Sequence, residues 1–89
     1  MKTVVSVIGK DSVGIIAKVS AVCAECNANI LDITQSVLQD MFVMVMLTEI
    51  GSLNCSFAEF SDKMKNIDGG NGLDILVMHE DIFNSMHRI

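Results

Sequence analysis

The chain contains no proline, tryptophan or tyrosine, and only four of its 89 residues are phenylalanine. So few aromatic rings argue against a surface on which nucleic-acid bases stack. Basic residues are also few, six against 11 acidic ones, and they are scattered along the chain. A net charge of −5 without a basic stripe argues against binding to a phosphate backbone, so nucleic acid is not an expected partner.

Long apolar runs are absent as well. The longest is Met41–Leu47, whereas a membrane-spanning helix needs about 20 apolar residues. The first residues show neither the apolar region nor the cleavage site of a signal peptide. We therefore expect a cytoplasmic protein with no membrane partner.

The length allows one domain, residues 1–89, with no room for a second core. The apolar share of 51% is high for so short a chain. A domain of this size buries only about 60% of the surface of its unfolded chain. We therefore expect part of the apolar surface to be covered by a second chain.

The three cysteines, Cys23, Cys26 and Cys55, form an odd set, which argues against a disulfide scaffold. Cys23 and Cys26 lie near the C-terminal end of a predicted helix, where the helix dipole does not stabilise a thiolate. We interpret both as small buried residues, and the alternative is a metal or redox protein that uses them. His79 and His87 lack a second ligand pair at zinc-site spacing, so neither a metal nor a cofactor is predicted.

Catalytic patterns are not recognisable either. No Ser-His-Asp or Cys-His arrangement occurs at a familiar spacing. The only arginine, Arg88, lies in the tail, which argues against the acylphosphatases, whose first loop needs a phosphate-binding arginine. We expect a protein that is not an enzyme and has no catalytic residues.

The order of hydrophobic periodicities predicts the fold. Runs of β-branched and apolar residues predict four strands, at Lys2–Ile8, Ile30–Gln39, Met41–Ile50 and Leu73–His79. Helical spacing predicts one helix from Val13 or Gly14 to about Asn27, with Ile15, Val19, Val22 and Cys26 on one face. A second helix face is formed by Leu53, Phe57, Phe60, Met64 and Ile67. Ser56 and Glu59 resemble a capping box, although Ser52 or Asn54 is an alternative N-cap.

These elements give the order βαββαβ, which predicts an α+β, ferredoxin-like domain. Its four-stranded antiparallel sheet carries both helices on one face, within a core of residues 2–79. The tail, residues 80–89, is expected to form one or two helical turns.

The third strand is apolar on both faces, although a half-exposed strand should alternate apolar and polar residues. We assign Met41, Val43, Val45 and Leu47 to the face under the helices. The other residues then face water in a monomer and predict a dimer interface, since exposed apolar patches mark interaction sites. These residues are Phe42, Met44 and Met46. In the alternative, the tail with Ile82, Phe83 and Met86 folds over them.

The turn "GKDSVGI", residues 9–15, joins the first strand to the first helix. A helix N-terminus presents free N–H groups and partial positive charge, which favour a carboxylate. Asp11 adds a negative charge that attracts an ammonium group, and Gly14 leaves the backbone open to a ligand. The combination suits an α-amino acid. In the alternative, Asp11 or Ser12 is only the N-cap of the helix, and the glycines serve the turn.

The segment "GKDSVGIIAKVSAVCAECNANILDI" resembles the opening of an ACT domain, a small ligand-binding regulatory module. The family has a G-x-D-x-x-G-I turn, a helix and an Asn-Ile pair that enters the second strand. The βαββαβ order agrees over about residues 2–79. The tail, with "HEDIF" and "MHRI", is similar to that of bacterial stand-alone single-ACT proteins.

The resemblance implies amino-acid binding at an interface between two ACT domains. The implied ligand contacts are Asp11, the backbone of Ser12, Val13, Gly14 and Ile15, and Asn29. The family often has a proline where this chain has Val13. Without the proline ring, the turn of this chain is less rigid. The resulting hypothesis is a homodimeric sensor of an amino acid or similar metabolite, which signals to an unknown protein effector. The alternative is a ligand-free dimerisation or interaction module that docks on an enzyme or regulator.

Overall fold

The computed structural model describes residues 1–10, 14–68 and 72–86. The strands are β1 (Lys2–Lys10), β2 (Asn29–Leu38), β3 (Met41–Glu49) and β4 (Asp74–His79), and the helices are α1 (Ile15–Cys26), α2 (Phe57–Lys65) and α3 (Glu80–Met86). A short 3₁₀ turn, Asn66–Asp68, follows α2. The four strands form one sheet in the order β2-β3-β1-β4, and the strand pairs are antiparallel. The predicted ferredoxin-like fold is confirmed.

Local sequence signals explain the ends of both long helices. α1 ends at Asn27, whose left-handed backbone (φ 61°) lets its N–H group bond to the carbonyls of Cys23 and Ala24. α2 begins after Ser56, whose hydroxyl accepts a hydrogen bond from the Glu59 N–H group while the Glu59 carboxylate accepts one from the Ser56 N–H group. The predicted capping box is therefore confirmed, and Ser56 is the N-cap.

The core lies between one face of the sheet and the helices α1 and α2. The sheet contributes Val5, Val7, Phe42, Met44, Met46 and Ile75. The helices contribute Ile15, Val19, Cys23, Cys26, Phe60 and Met64. Each of these residues is at most 6% exposed. Methionine suits this position because its unbranched side chain fills irregular gaps.

The predicted faces of β3 are therefore wrong. Phe42, Met44 and Met46 do not face water as a dimer interface: they are 6%, 0% and 0% exposed and lie in the core. The physical reason is register, because Met44 pairs with Val7 and Met46 with Val5 across the β1–β3 ladder, and directly paired residues share a face. Val43, Val45 and Leu47 lie on the opposite face.

That opposite face, here called the open face, is largely apolar. Strand register assigns to it Val4, Ile8, Val43, Val45, Leu47, Leu76 and Met78. The helix α3 lies against β1 and β4, and Val4 is 3% exposed although its side chain points away from α1 and α2. We infer that α3 covers the Val4 end of the open face. Leu76 remains 43% exposed.

Among the described residues, no helix is long and apolar enough to cross a membrane.

Candidate functional site

The turn between β1 and α1 is bounded in the structure by Lys10 and Gly14. Asp11, Ser12 and Val13, three of the predicted ligand contacts, lie outside the described residues. Gly14 is the N-cap of α1, and its carbonyl accepts a 3.0 Å hydrogen bond from the Lys18 N–H group. No side chain of the described part of the chain caps this end. Among the described residues, α1 thus has no counterpart of the cap that Ser56 provides in α2.

Two glycines bracket the turn for different reasons. Gly14 has φ 87°, and an added Cβ would meet nothing within 4 Å, so its backbone conformation requires glycine and the space above it is open. Gly9 has little space instead, because an added Cβ would lie 2.8 Å from Leu73 Cδ2 and 3.0 Å from the Gly72 carbonyl oxygen. Gly9 therefore brings the end of β1 close to the segment before β4, while an added Cβ at Gly14 would have free space.

A pocket of about 580 Å³ lies beside this turn, at the end of the sheet where β1 finishes. Its lining residues come from β1, the β2–β3 turn and the segment before β4: Gly9, Lys10, Leu38, Gln39, Asp40, Met41 and Gly72. Lys10 and Asp40 supply one positive and one negative charge, and Leu38 and Met41 are 71% and 49% exposed. Opposite charges beside apolar side chains suit a small zwitterion with an apolar part.

Ile15 and Asn29 occupy very different positions. The Ile15 side chain is 3% exposed and belongs to the core, so only its backbone is available to a ligand at the helix end. Asn29 is the first residue of β2 and pairs with Glu49, which in turn pairs with Lys2. Lys10, at the other end of β1, pairs with Met41, which pairs with Leu38. The partners of Asn29 and Lys10 on β3, Glu49 and Met41, are eight residues apart. At roughly 3.3 Å per residue, about 26 Å therefore separates Asn29 from the Lys10 end of the sheet.

The structure therefore does not bring Asn29 to the turn within one chain. Asn29 lines a second pocket, of about 280 Å³, together with Asn27, Ala28, Glu49 and Ser52. The pKa of Glu49 is lowered, first by the N-terminal ammonium group of Met1 at 2.8 Å and then by the Gly51 N–H group at 2.8 Å. Glu49 thus carries its negative charge at the Asn29 end of the sheet.

The cysteines have the buried environment that the sequence predicts for Cys23 and Cys26. Both thiols are free, and they are 1% and 0% exposed. The Cys23 thiol lies 3.9 Å from the Met46 sulfur, and burial raises its pKa to about 11. Burial also raises the pKa of Cys26, and a hydrogen bond with the Cys55 thiol adds to the effect. Within the described ranges, no group of three or more His, Cys, Asp or Glu residues could hold a metal ion.

The element order and the antiparallel four-stranded sheet define a small ferredoxin-like α+β domain. The family model of the ACT domain matches residues 2–65, and the chain belongs to this family. ACT domains are in general regulatory modules that bind small molecules.

Relatives of the same size occur in bacteria and in archaea. The stand-alone single-ACT proteins that the tail resembles are therefore not confined to bacteria. A UPF0237 protein of Clostridium perfringens is 47% identical over 89 residues, which cover 100% of both chains. A UPF0237 protein of Methanocaldococcus jannaschii is 46% identical over 99% of this chain and 98% of its own. Among solved structures, an ACT domain protein from Streptococcus pneumoniae has a TM-score of 0.77 at 31% identity, covering 93% of each chain.

Proposed function

We propose that this protein is a non-enzymatic cytoplasmic sensor that binds an amino acid at the interface of a homodimer. The observation that carries the proposal is the separation of the two predicted halves of the site. The helix end with Lys10 and the residue Asn29 lie at opposite ends of β2 in one chain. A second chain is needed to bring them together.

β2 is suited to such an interface because it is an edge strand of the sheet. Its residues are exposed from Leu31 to Leu38, and they include Leu31, Ile33 and Val37 at 44%, 36% and 57%. A long exposed edge with apolar side chains is a template for pairing with another strand. The dimer contact is therefore proposed at the β2 edge, in place of the β3 residues that the structure assigns to the core.

Two-fold pairing of β2 with a second β2 is necessarily antiparallel, so the two ends of the strand meet. With the axis between Ile33 and Thr34, the partner subunit's Asn29 lies opposite Leu38. Leu38 lines the pocket beside Lys10. Each dimer would then contain two equivalent sites, each built from the helix end of one subunit and Asn29 of the other.

The chemistry of such a site fits an α-amino acid. The N-terminal N–H groups of α1 would bind the carboxylate, assisted by the nearby Lys10. Asp11, which follows Lys10 directly in the sequence, would bind the ammonium group. The amide of Asn29 would add a donor and an acceptor. A ligand shared between two subunits changes their association, which is how the signal would reach a protein effector.

A thermal-shift screen of the twenty amino acids tests the proposal. A ligand at 100 times its dissociation constant adds about 2.7 kcal/mol to the free energy of unfolding. We expect a shift with one amino acid or a small group, lost in Asp11→Ala and in Asn29→Ala. Asp62→Ala and Asn84→Ala are matched controls, because both side chains are exposed on other helices and should leave the shift intact. No shift with any amino acid, for a folded dimer, would reject the sensor function.

The second candidate is a ligand-free interaction module, which the open face favours. Its residues Val43, Val45 and Leu47 are only half-buried, and Leu76 is 43% exposed. Exposed apolar patches of this kind mark protein contacts. This candidate predicts a dimer without a thermal shift and loss of effector binding in Val45→Lys.

A further inference from the structure

Two cysteines from separate segments are neighbours at one end of the α1–α2 layer. Cys26 is the last residue of α1, and Cys55 lies in the loop immediately before the capping residue Ser56 of α2. Cys55 packs against the core cluster that contains Cys26, and its proximity contributes to the raised pKa of the Cys26 thiol. The sequence shows only the C-x-x-C spacing of Cys23 and Cys26, whereas the fold brings Cys55 to Cys26 from a distant part of the chain.

Backbone and side-chain hydrogen bonds fix the loop against the end of the helix. The Asn54 N–H group donates to the Cys26 carbonyl at 3.0 Å, and Asn54 Nδ2 donates to the Glu25 carbonyl at 2.8 Å. One residue beyond the helix, Asn27 Nδ2 donates to the Ser52 carbonyl at 2.8 Å. Because Asn54 precedes Cys55 directly, these bonds hold Cys55 next to the end of α1 where Cys26 lies.

The two thiols differ in exposure. Cys55 is half-buried and accessible to a small oxidant, whereas Cys26 is 0% exposed. The charged groups around the pair are Lys63 and Glu25, which form a 2.7 Å ion pair joining α2 to α1. These two charges act in opposite directions on the pKa of the Cys26 thiol, which burial raises most. Because Cys55 is the more exposed of the two, it is placed to react first, with Cys26 behind it.

We propose that Cys26 and Cys55 form a reversible disulfide when the protein meets hydrogen peroxide. In the first step the Cys55 thiolate attacks one peroxide oxygen, the O–O bond breaks, and the departing hydroxide takes up a proton to leave as water. This step gives a sulfenic acid. In the second step the Cys26 sulfur attacks the sulfenic sulfur, the S–O bond breaks, and a second water leaves. The two thiols together lose two electrons and two hydrogens, and the peroxide gains them.

The bond would tie the C-terminal end of α1 to the N-terminal end of α2. Cys23 is not expected to take part, because it is 1% exposed and its thiol faces Met46 in the core. Of the three thiols in the chain, oxidation should therefore remove two and leave one.

Peptide mass spectrometry of the full, folded chain after treatment with hydrogen peroxide tests the proposal. We expect one intramolecular cross-linked peptide pair that contains Cys26 and Cys55, a fall from three titratable thiols to one, and full reversal by dithiothreitol. A thermal melt should show a higher midpoint for the oxidised protein, because a cross-link restricts the unfolded chain. Cys55→Ser should abolish the cross-link, while Cys23→Ala should retain it.

Three results would each overturn the proposal. One is a sulfinic acid at Cys55 without any cross-link. Another is a disulfide between Cys23 and Cys26, or between the Cys55 residues of two chains. The third is an unchanged thiol count in the wild-type protein, checked by labelling Cys55 with N-ethylmaleimide to show that the thiol is accessible. Because Cys55→Ser replaces a half-buried side chain at a loop position, circular dichroism of this variant verifies that the fold is retained.

Discussion

Asn27 and Ser52 are joined by a 2.8 Å hydrogen bond, in which the side-chain amide of the helix-ending residue donates to a carbonyl of the loop before α2. Asn27 also has the left-handed backbone that ends α1. Asn27→Ala removes the bond and places an unfavourable residue at φ 61°, so we expect a loss of about 2 kcal/mol in the free energy of unfolding. Asn27→Gly removes only the bond and should cost about 1 kcal/mol. Urea unfolding of both variants measures the difference, and equal losses would contradict the role of the backbone conformation.

Thr3 and Thr48 face each other across the β1–β3 ladder, and both are 0% exposed. The Thr48 hydroxyl donates to the Thr3 carbonyl at 3.1 Å, whereas the Thr3 hydroxyl has no hydrogen-bond partner among the described residues. A buried hydroxyl without a partner costs about 1–3 kcal/mol. Thr3→Val should therefore raise the free energy of unfolding by about 1 kcal/mol, while Thr48→Val should lower it by about 1 kcal/mol. Chemical denaturation checks the opposite signs, and a loss in Thr3→Val would show that its hydroxyl is satisfied.

Burial of Cys23 makes stability depend on alkaline pH. Its pKa rises from an ordinary 9.0 to about 11. Below pH 9 both the folded and the unfolded thiol hold the proton, but between pH 9 and 11 the unfolded state loses it first. The free energy of unfolding should therefore fall with rising pH, by at most about 1.4 kcal/mol per pH unit for this group, and level off above.

The matched variants are Cys23→Ala and Val19→Ala, which both shorten a buried side chain of α1. Both should lose stability at pH 7. Only Cys23→Ala should show a shallower decline between pH 9 and 11, measured by urea unfolding at several pH values. The same slope in both variants would exclude Cys23 as the source.

The element order, the end of α1 at Asn27 and the N-cap of α2 at Ser56 could be predicted from the sequence because each depends on local signals. Hydrophobic periodicity and the Ser56–Glu59 spacing are examples. The faces of β3 were predicted wrongly because the strand is apolar on both sides, so alternation alone gives no answer. One signal was available: Glu49 is a charged residue two positions from Leu47, and it marks the open face.

The candidate site shows a second limit. The turn is predicted from its own residues, whereas Asn29 enters only through a family resemblance, which names a residue without its position in space. Only the register shows that Asn29 and Lys10 lie at opposite ends of the sheet. The partnership of Cys26 and Cys55 could not be found from spacing either, because 28 residues separate them in the sequence and the contact depends on how α2 packs beside α1.

Mixing two inactive variants tests whether the amino-acid site is shared between subunits. In the proposed dimer, each site takes Asp11 from one chain and Asn29 from the other. A mixed dimer of Asp11→Ala and Asn29→Ala chains therefore has one site with both residues intact and one with neither. We expect ligand binding, measured by isothermal titration calorimetry, to be absent in each variant and to return in the unfolded-and-refolded mixture. Random reassembly of equal amounts makes about half of the dimers mixed, so the restored capacity should be about a quarter of the wild-type value per chain. If the site lies within one chain, no dimer in the mixture has both residues in one site, and the mixture stays inactive.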